Sequence, residues 1–214
     1  MKQKRNVQTS LVFVFLLVIG FLLLLQTRSF ITSYIHEKLD DQTVLDASSG
    51  GYFGGLGTKD NPYIVSKADD MVYLSQSVNA GETYKDKHFS VVASIGTITL
   101  KNFTPIGTSA KPFEGHFDGS GVTIDLNISN ETLDNQGLFG YIKGSIISNV
   151  SIKGNVTGKN YVGAIVGYMN GGTISNIYNK TSVIGSTYIG GLVGYKLSGT
   201  IQNVYNQASI KGVS

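Results

Sequence analysis

Three consecutive segments of the C-terminal half decide the fold, because they repeat one another. They read 137-GLFGYIKGSIISNVSIKGNVTGKNYV-162, 163-GAIVGYMNGGTISNIYNKTSVIGSTYI-189 and 190-GGLVGYKLSGTIQNVYNQASIKGVS-214. The step between units is 27 residues at a glycine and at an asparagine position, namely Gly140/Gly167/Gly194 and Asn149/Asn176/Asn203. A repeat of roughly 20–50 residues is typical of solenoids and repeat arrays.

Apolar residues keep the same step and therefore form columns. The columns are Leu138/Ile165/Leu192, Phe139/Val166/Val193, Ile147/Ile174/Ile201, Val150/Ile177/Val204 and Val156/Val183/Ile210. They lie in short β-branched runs between Gly, Asn and Ser, with no stretch long enough for a helix. The pattern predicts an all-β fold, a right-handed parallel β-helix with about 27 residues per coil and three short strands in each coil. The asparagines are predicted to stack as a structural ladder at a turn.

Residues 57–136 have a different sequence pattern from the repeats. They are interpreted as the entry region of the β-helix, with a capping helix. The stretch after Ser66 places Met71, Leu74 and Val78 on one helical face and stops at Gly81. Ser66 is the predicted N-cap, and Gly81 is the predicted C-terminal stop. A short amphipathic helix here would cover the open end of the first coil, which a solenoid needs.

The N-terminus predicts export or membrane insertion. Leu11–Leu25 contains no polar side chain, and Lys2, Lys4 and Arg5 precede it. Residues 1–28 therefore read as an uncleaved signal anchor or a cleaved signal peptide, with the remaining chain outside the membrane. Residues 29–56 read as a stalk and glycine-rich linker. The predicted location is the cell membrane as a single-pass protein, or the cell surface or medium after cleavage.

The composition excludes several classes of function. The chain has no Cys, which rules out a disulfide scaffold, a thiolate zinc site and a cysteine nucleophile. Its net charge of +3 is too small to predict nucleic-acid binding. Charged residues make up 14% of the chain, against roughly 25% in an average globular protein. No cofactor or metal is predicted.

One motif set resembles a known family. Phe113–Ile128 reads F-x-G-x-F-D-G-x-G-x-T-I-x-L-x-I, and the related motifs GLFG, GAIVG and GGLVG begin at Gly137, Gly163 and Gly190. This arrangement resembles the GLUG-repeat proteins, which are extracellular β-helical modules of bacterial surface proteins. Similar repeats occur beside immunoglobulin-A-cleaving metalloproteases. The resemblance covers residues 57–214, with GLUG-type repeats over 137–214 of which the last is incomplete. Ala93–Gly96 departs from the family, which often has an acidic strand there.

The sequence offers little for catalysis. From Asn135 to Ser214 there is no Asp and no Glu, so the repeats have no carboxylates for acid–base chemistry or calcium. Glu114, His116 and Asp118 would share one strand face, which allows a small metal or catalytic cluster, although a turn Asp among exposed polar residues is the favoured explanation. His36 and His88 show no partner in the sequence. The chain is therefore predicted not to be an enzyme.

The acid-free half carries lysines beside tyrosines that repeat in register. Such a surface would suit anionic glycans or cell-wall polymers through charge and ring stacking. Alternatively, tyrosine stacks stabilise the outer strands while lysines keep the sheet soluble. The candidate glycan-binding residues are Tyr141, Tyr168, Tyr195, Tyr178, Tyr205, Lys153, Lys180 and Lys196.

Together these features predict a non-catalytic surface module, structural or adhesive, held to the membrane through Leu11–Leu25. Its expected partners are surface glycans, cell-wall polymers or host proteins. Two alternatives stay open: the N-terminal accessory region of a larger surface enzyme such as a metalloprotease, and a dedicated glycan- or polymer-binding module.

Overall fold

The computed structural model describes residues 53–213 as successive coils of parallel β-strand. One α-helix, α1 (Ala68–Ala80), and a short 3-10 helix (Ala93–Ile95) interrupt the strands. The strands are β1 (Tyr63–Val65), β2 (His88–Val91), β3 (Thr97–Leu100), β4 (His116–Asp118), β5 (Thr123–Ser129), β6 (Phe139–Lys143), β7 (Ile146–Thr157), β8 (Asn160–Val162), β9 (Val166–Gly185), β10 (Thr187–Ile189), β11 (Val193–Asn206) and β12 (Ser209–Gly212). Every pairing between these strands is parallel, which confirms an all-β, β-helix-like fold.

The repeat read from the sequence is the register of the last three coils. Ile147 pairs with Ile174, and Ile174 pairs with Ile201. Each coil therefore lies directly on the equivalent positions of the preceding repeat unit, and matching side chains stack in columns. Ile147 and Ile174 are fully buried, since each is covered by a coil on both sides.

The entry region contains coils of the same kind but with irregular length. Tyr63 pairs with Phe89, Phe89 with Phe117, and Phe117 with Ile147. The three steps between these partners are unequal, and each is longer than the one before it. Insertions at the corners leave the strands in register, but they destroy a fixed period. The sequence consequently shows the repeat only after residue 137.

The corners of the coils bend the strands without ending them. β7 has 12 residues and β9 has 20, so the predicted three short strands per coil merge into longer ones. Asn149, Asn176 and Asn203 adopt left-handed backbone geometry with φ of 55°, 57° and 53°. Asn tolerates this region better than most residues, because its short polar side chain bonds locally.

The same asparagines form the predicted ladder. The Nδ2 of Asn176 donates to the Oδ1 of Asn149 at 2.9 Å, and the Nδ2 of Asn203 donates to the Oδ1 of Asn176 at 3.3 Å. The ladder extends one coil further than predicted, because the Nδ2 of Asn149 donates to the Oδ1 of Asp118 at 2.9 Å. These side-chain hydrogen bonds connect successive coils along the axis of the stack.

Helix α1 packs its apolar face on the coils, with Met71, Leu74 and Val78 fully buried. The predicted stop is confirmed, since the Gly81 N–H donates to the carbonyls of Ser77 and Val78. The predicted start is wrong by one residue: Lys67, not Ser66, is the N-cap. The carboxylate of Asp70 accepts hydrogen bonds from the backbone N–H groups of both residues, as the side chain at the third helical position does in a capping box.

An aromatic cluster lies beside the helix at the first coil. Phe53 is buried, and its ring centroid lies 5.2 Å from that of Phe89 and 5.4 Å from that of Tyr73. Burial raises the pKa of Tyr84 to about 12, and its hydroxyl lies 2.9 Å from the Ser77 Oγ. Phe53 falls within the predicted linker of residues 29–56, and its side chain lies in the core.

The opposite end of the stack has no comparable cover among residues 53–213. Ile201 and Ile210 are 37% and 52% exposed, whereas their column neighbours Ile174 and Val183 are fully buried. No helix within the described range is long and apolar enough to span a membrane. The segment Leu11–Leu25, on which the predicted anchor depends, lies outside the described residues.

Candidate functional site

Five tyrosines on neighbouring coils form one aromatic cluster. Tyr141 and Tyr195 both pair in register with Tyr168, and their ring centroids lie 4.6 and 4.9 Å from the Tyr168 ring. Tyr161 and Tyr188 stack beside them at 5.1 Å, nearly parallel. These spacings match the distance between adjacent strands, so the stacking follows from the coil register.

The second column packs edge-on against the first. Tyr161 meets Tyr168 at 5.5 Å, and Tyr188 meets Tyr195 at 5.2 Å, both in T-shaped geometry. Tyr161 and Tyr188 have φ of 58° and 55°, a left-handed conformation that is unfavourable for a bulky residue. The ring contacts on two sides offset this cost. The sequence aligns these tyrosines, but it gives no sign that their backbone is left-handed.

A smaller tyrosine pair lies on the outer surface of β9 and β11. Tyr178 and Tyr205 stack at 5.0 Å and are 39% and 53% exposed. The Nζ of Lys180 lies 5.1 Å from the centroid of the Tyr178 ring. Hydrogen bonding to Tyr178 raises the pKa of Lys180, and a lysine amine is protonated at neutral pH even without this shift. Of the predicted glycan-binding residues, these three form one group with charge and aromatic surface.

The other two candidate lysines lie apart from this group. Lys153 is in register with Lys180 one coil earlier, but its Nζ pairs with the Asp125 carboxylate at 3.4 Å. The Nζ of Lys196 donates to the carbonyl of Gly199 at 2.8 Å, within its own turn. The eight predicted residues therefore do not converge on one site.

Stacking also limits what the tyrosines offer to a sugar. A sugar ring packs on an aromatic face, and each stacked tyrosine covers one face of its neighbour. Tyr168 lies between two stacked rings, and burial beside them raises its pKa. Tyr205 and Tyr188 are 53% and 52% exposed. The aromatic surface available to a ligand is therefore concentrated on the last coils.

A second polar group lies on the outer face of β2 and β4. His88 and His116 pair in register, and their rings stack at 4.3 Å between centroids. The expectation that His88 has no partner is wrong. The shared pattern His-Phe-polar, at His88–Ser90 and His116–Asp118, was the available signal, but it lies in the irregular coils, where no fixed period aligns the two segments.

The cluster of Glu114, His116 and Asp118 does not assemble as a catalytic or metal group. Its members share the outer face as expected, but the Glu114 carboxylate pairs with Lys143 at 3.6 Å. The Oδ1 of Asp118 accepts hydrogen bonds from Ser120 and Asn149. Within residues 53–213, no group of three or more His, Asp or Glu side chains is placed to hold a metal ion together.

Two known proteins are similar to part of this chain. One is a protein of Evansella cellulosilytica, named as a Gly-rich membrane protein, that is 34% identical over 120 residues. That match spans 53% of this chain and 13% of the relative. The other is the halomucin of Haloquadratum walsbyi, 33% identical over 126 residues, or 54% of this chain and 1% of the relative.

The chain thus matches only a small part of either relative's length. No protein-family model matches the chain, so the GLUG resemblance stays a prediction. No solved structure matches it either.

Proposed function

We propose that this chain is a non-catalytic structural module of the cell surface. In this proposal, residues 1–28 hold it to the membrane, and a right-handed β-helix of GLUG type extends outward. The observation that supports it is the use of outward-facing side chains for contacts between coils. The Asn149–Asn176–Asn203 ladder and the tyrosine stacks join neighbouring coils instead of converging on a reaction centre.

The similar proteins support the same proposal. One is named as a Gly-rich membrane protein and the other as halomucin, and each match covers about half of this chain. Because each coil contacts only its neighbours, a stack of this kind can be lengthened by adding coils, which suits a surface structure. The many Asn, Ser and Thr side chains suit a surface that must stay solvated.

The test is the location of the C-terminal half in intact cells. The full chain, with a C-terminal epitope tag, is expressed in a bacterium and exposed to external protease. We expect the tag to be digested in intact cells and the protein to fractionate with the membrane, or with the medium if the signal is cleaved. Retention of Met1–Arg28 in the mature mass distinguishes these two routes.

A paired variant separates insertion from folding. Leu17→Arg with Ile19→Arg places two charges in the apolar segment, each costing about 2.5–3.5 kcal/mol for insertion, and should abolish membrane and surface location. Leu197→Arg is the control. Leu197 lies in β11 and is 55% exposed, so this substitution should leave the location of the protein unchanged. A tag protected in intact cells but digested after lysis would contradict the proposal.

We propose anionic-polymer binding as a second candidate, on the group of Tyr178, Tyr205 and Lys180. Its support is the juxtaposition of exposed stacked rings with a protonated amine in a half of the chain that carries lysines and no acid. Charge attraction of this kind weakens as salt screens it.

Retention on immobilised teichoic acid or a uronic-acid polymer tests this candidate. At low salt we expect Tyr205→Ala and Lys180→Gln each to reduce retention several-fold, and high salt to reduce that of the parent protein. Lys196→Gln is the matched control, since Lys196 bonds within its own turn. Equal retention of all three variants, or no retention of the parent protein at low salt, would exclude this surface as the binding site.

A further inference from the structure

We propose that His88 and His116 form a two-histidine site for a divalent transition-metal ion, with Cu(II) as its tightest ligand. This inference is independent of the proposed surface function. It rests on the register of two strands and on an open groove around the imidazoles.

The core fixes the two imidazoles beside each other. In β2 and β4, Phe89 and Phe117 face inward and are 1% exposed, so alternation places His88 and His116 on the outer face. Phe89 pairs with Phe117, and the preceding residues, His88 and His116, pair with each other in the same register. A one-residue shift in the pairing of β2 with β4 would turn a buried phenylalanine toward solvent. Burial of the two phenylalanines therefore also keeps the two histidines side by side.

The pair lies in an open groove of about 400 Å³. Its other lining residues include Lys59, Pro62, Ser90, Asp118, Ile146 and Ser148. The rings are stacked with centroids 4.3 Å apart, and both side chains are half-buried rather than locked in the core. If the two rings turn out of this stack, one nitrogen of each can reach a common ion at about 2.0–2.1 Å.

The remaining coordination positions belong to water or to a small exogenous ligand. The described residues contain no third His, Asp or Glu placed to complete a set. Asp118 is engaged in the asparagine ladder through its Oδ1. Two neutral imidazoles with water suit Cu(II), Ni(II) and Zn(II), and Cu(II) binds most tightly in the usual order of divalent metals.

Charged groups of both signs lie around His116, since Asp118 and Lys59 line the same groove. Burial lowers the pKa of His116, and the neighbouring His88 lowers it further, while Asp86 acts in the opposite direction. Lys59 adds positive charge to the groove. Because a metal binds the unprotonated nitrogen, protons compete with it, and binding should fail on acidification.

Copper titration of the purified full chain tests the site, with calorimetry for stoichiometry and electron paramagnetic resonance for the ligand atoms. We expect one Cu(II) per chain with two nitrogen ligands. His88→Gln and His116→Gln should each weaken binding by at least about tenfold, because the second imidazole is held at high effective concentration. His36→Gln is the control for the third histidine and should bind as the parent protein does.

Circular dichroism of each variant confirms that the coils remain folded, so that lost binding reports the ligand and not the fold. Zn(II) should compete with Cu(II) at higher concentration. Unchanged affinity in either His88→Gln or His116→Gln, or a spectrum with a single nitrogen ligand, would overturn the proposal and leave the pair as a simple stacking contact between coils.

Discussion

Gly167→Ala is expected to lower the free energy of unfolding by roughly 3 kcal/mol, the upper end for overpacking a tightly packed site. A Cβ at this position would lie 2.6 Å from the backbone carbon of Asn135 and 2.8 Å from the carbonyl oxygen of Gly140. Backbone atoms of a neighbouring coil cannot rotate away as a flexible side chain would. The coils would have to separate locally, which weakens the hydrogen bonds and the core together.

The repeat provides a matched control for this substitution. A Cβ at Gly212 would have its nearest neighbour, the Cδ1 of Ile189, at 3.8 Å, which is ordinary contact. Gly212→Ala should therefore change stability by less than about 0.5 kcal/mol, the usual range for surface positions. Chemical denaturation followed by circular dichroism measures both variants. A Gly167→Ala protein as stable as Gly212→Ala would show that the coils are further apart than described.

Regular spacing determined which parts of the fold could be predicted from the sequence. The last three coils repeat at one constant step, so their columns, the asparagine ladder and the tyrosine register followed directly from alignment. The earlier coils repeat at unequal steps, so their stacking could not be predicted from a constant spacing in the sequence. Corner loops change length freely because only the strands must stay in register, which is a property of three-dimensional packing.

The candidate sites show the same division. In-register tyrosines were predicted and do stack, but the sequence could not tell that stacking hides ring faces or that Tyr161 and Tyr188 adopt left-handed backbone. His88 and His116 were separated by an irregular step, so their pairing went unseen. The ion pair between Lys153 and Asp125 forms because their coils are neighbours. Where the coils are irregular, the sequence alone does not show which coils are neighbours.

The two ends of the stack differ, and one column allows this difference to be measured. Helix α1 and the Phe53 cluster cover the first coil, whereas in the last coil Ile201 and Ile210 of the repeat columns are exposed. Ile174 and Ile201 occupy the same column in successive coils and carry the same side chain. Ile174 is fully buried, and Ile201 is 37% exposed. Any difference between them therefore reports the presence of a covering coil.

Ile174→Ala should lower the free energy of unfolding by about 2–5 kcal/mol, because it removes buried methyl groups and leaves a cavity between two coils. Ile201→Ala should cost less than half as much, since one side of that side chain already faces water and no closed cavity forms. Denaturant unfolding of the parent and both variants gives the two values. If Ile201→Ala is as destabilising as Ile174→Ala, the end of the stack is covered in solution, and concentration dependence of that stability would identify a second copy as the cover.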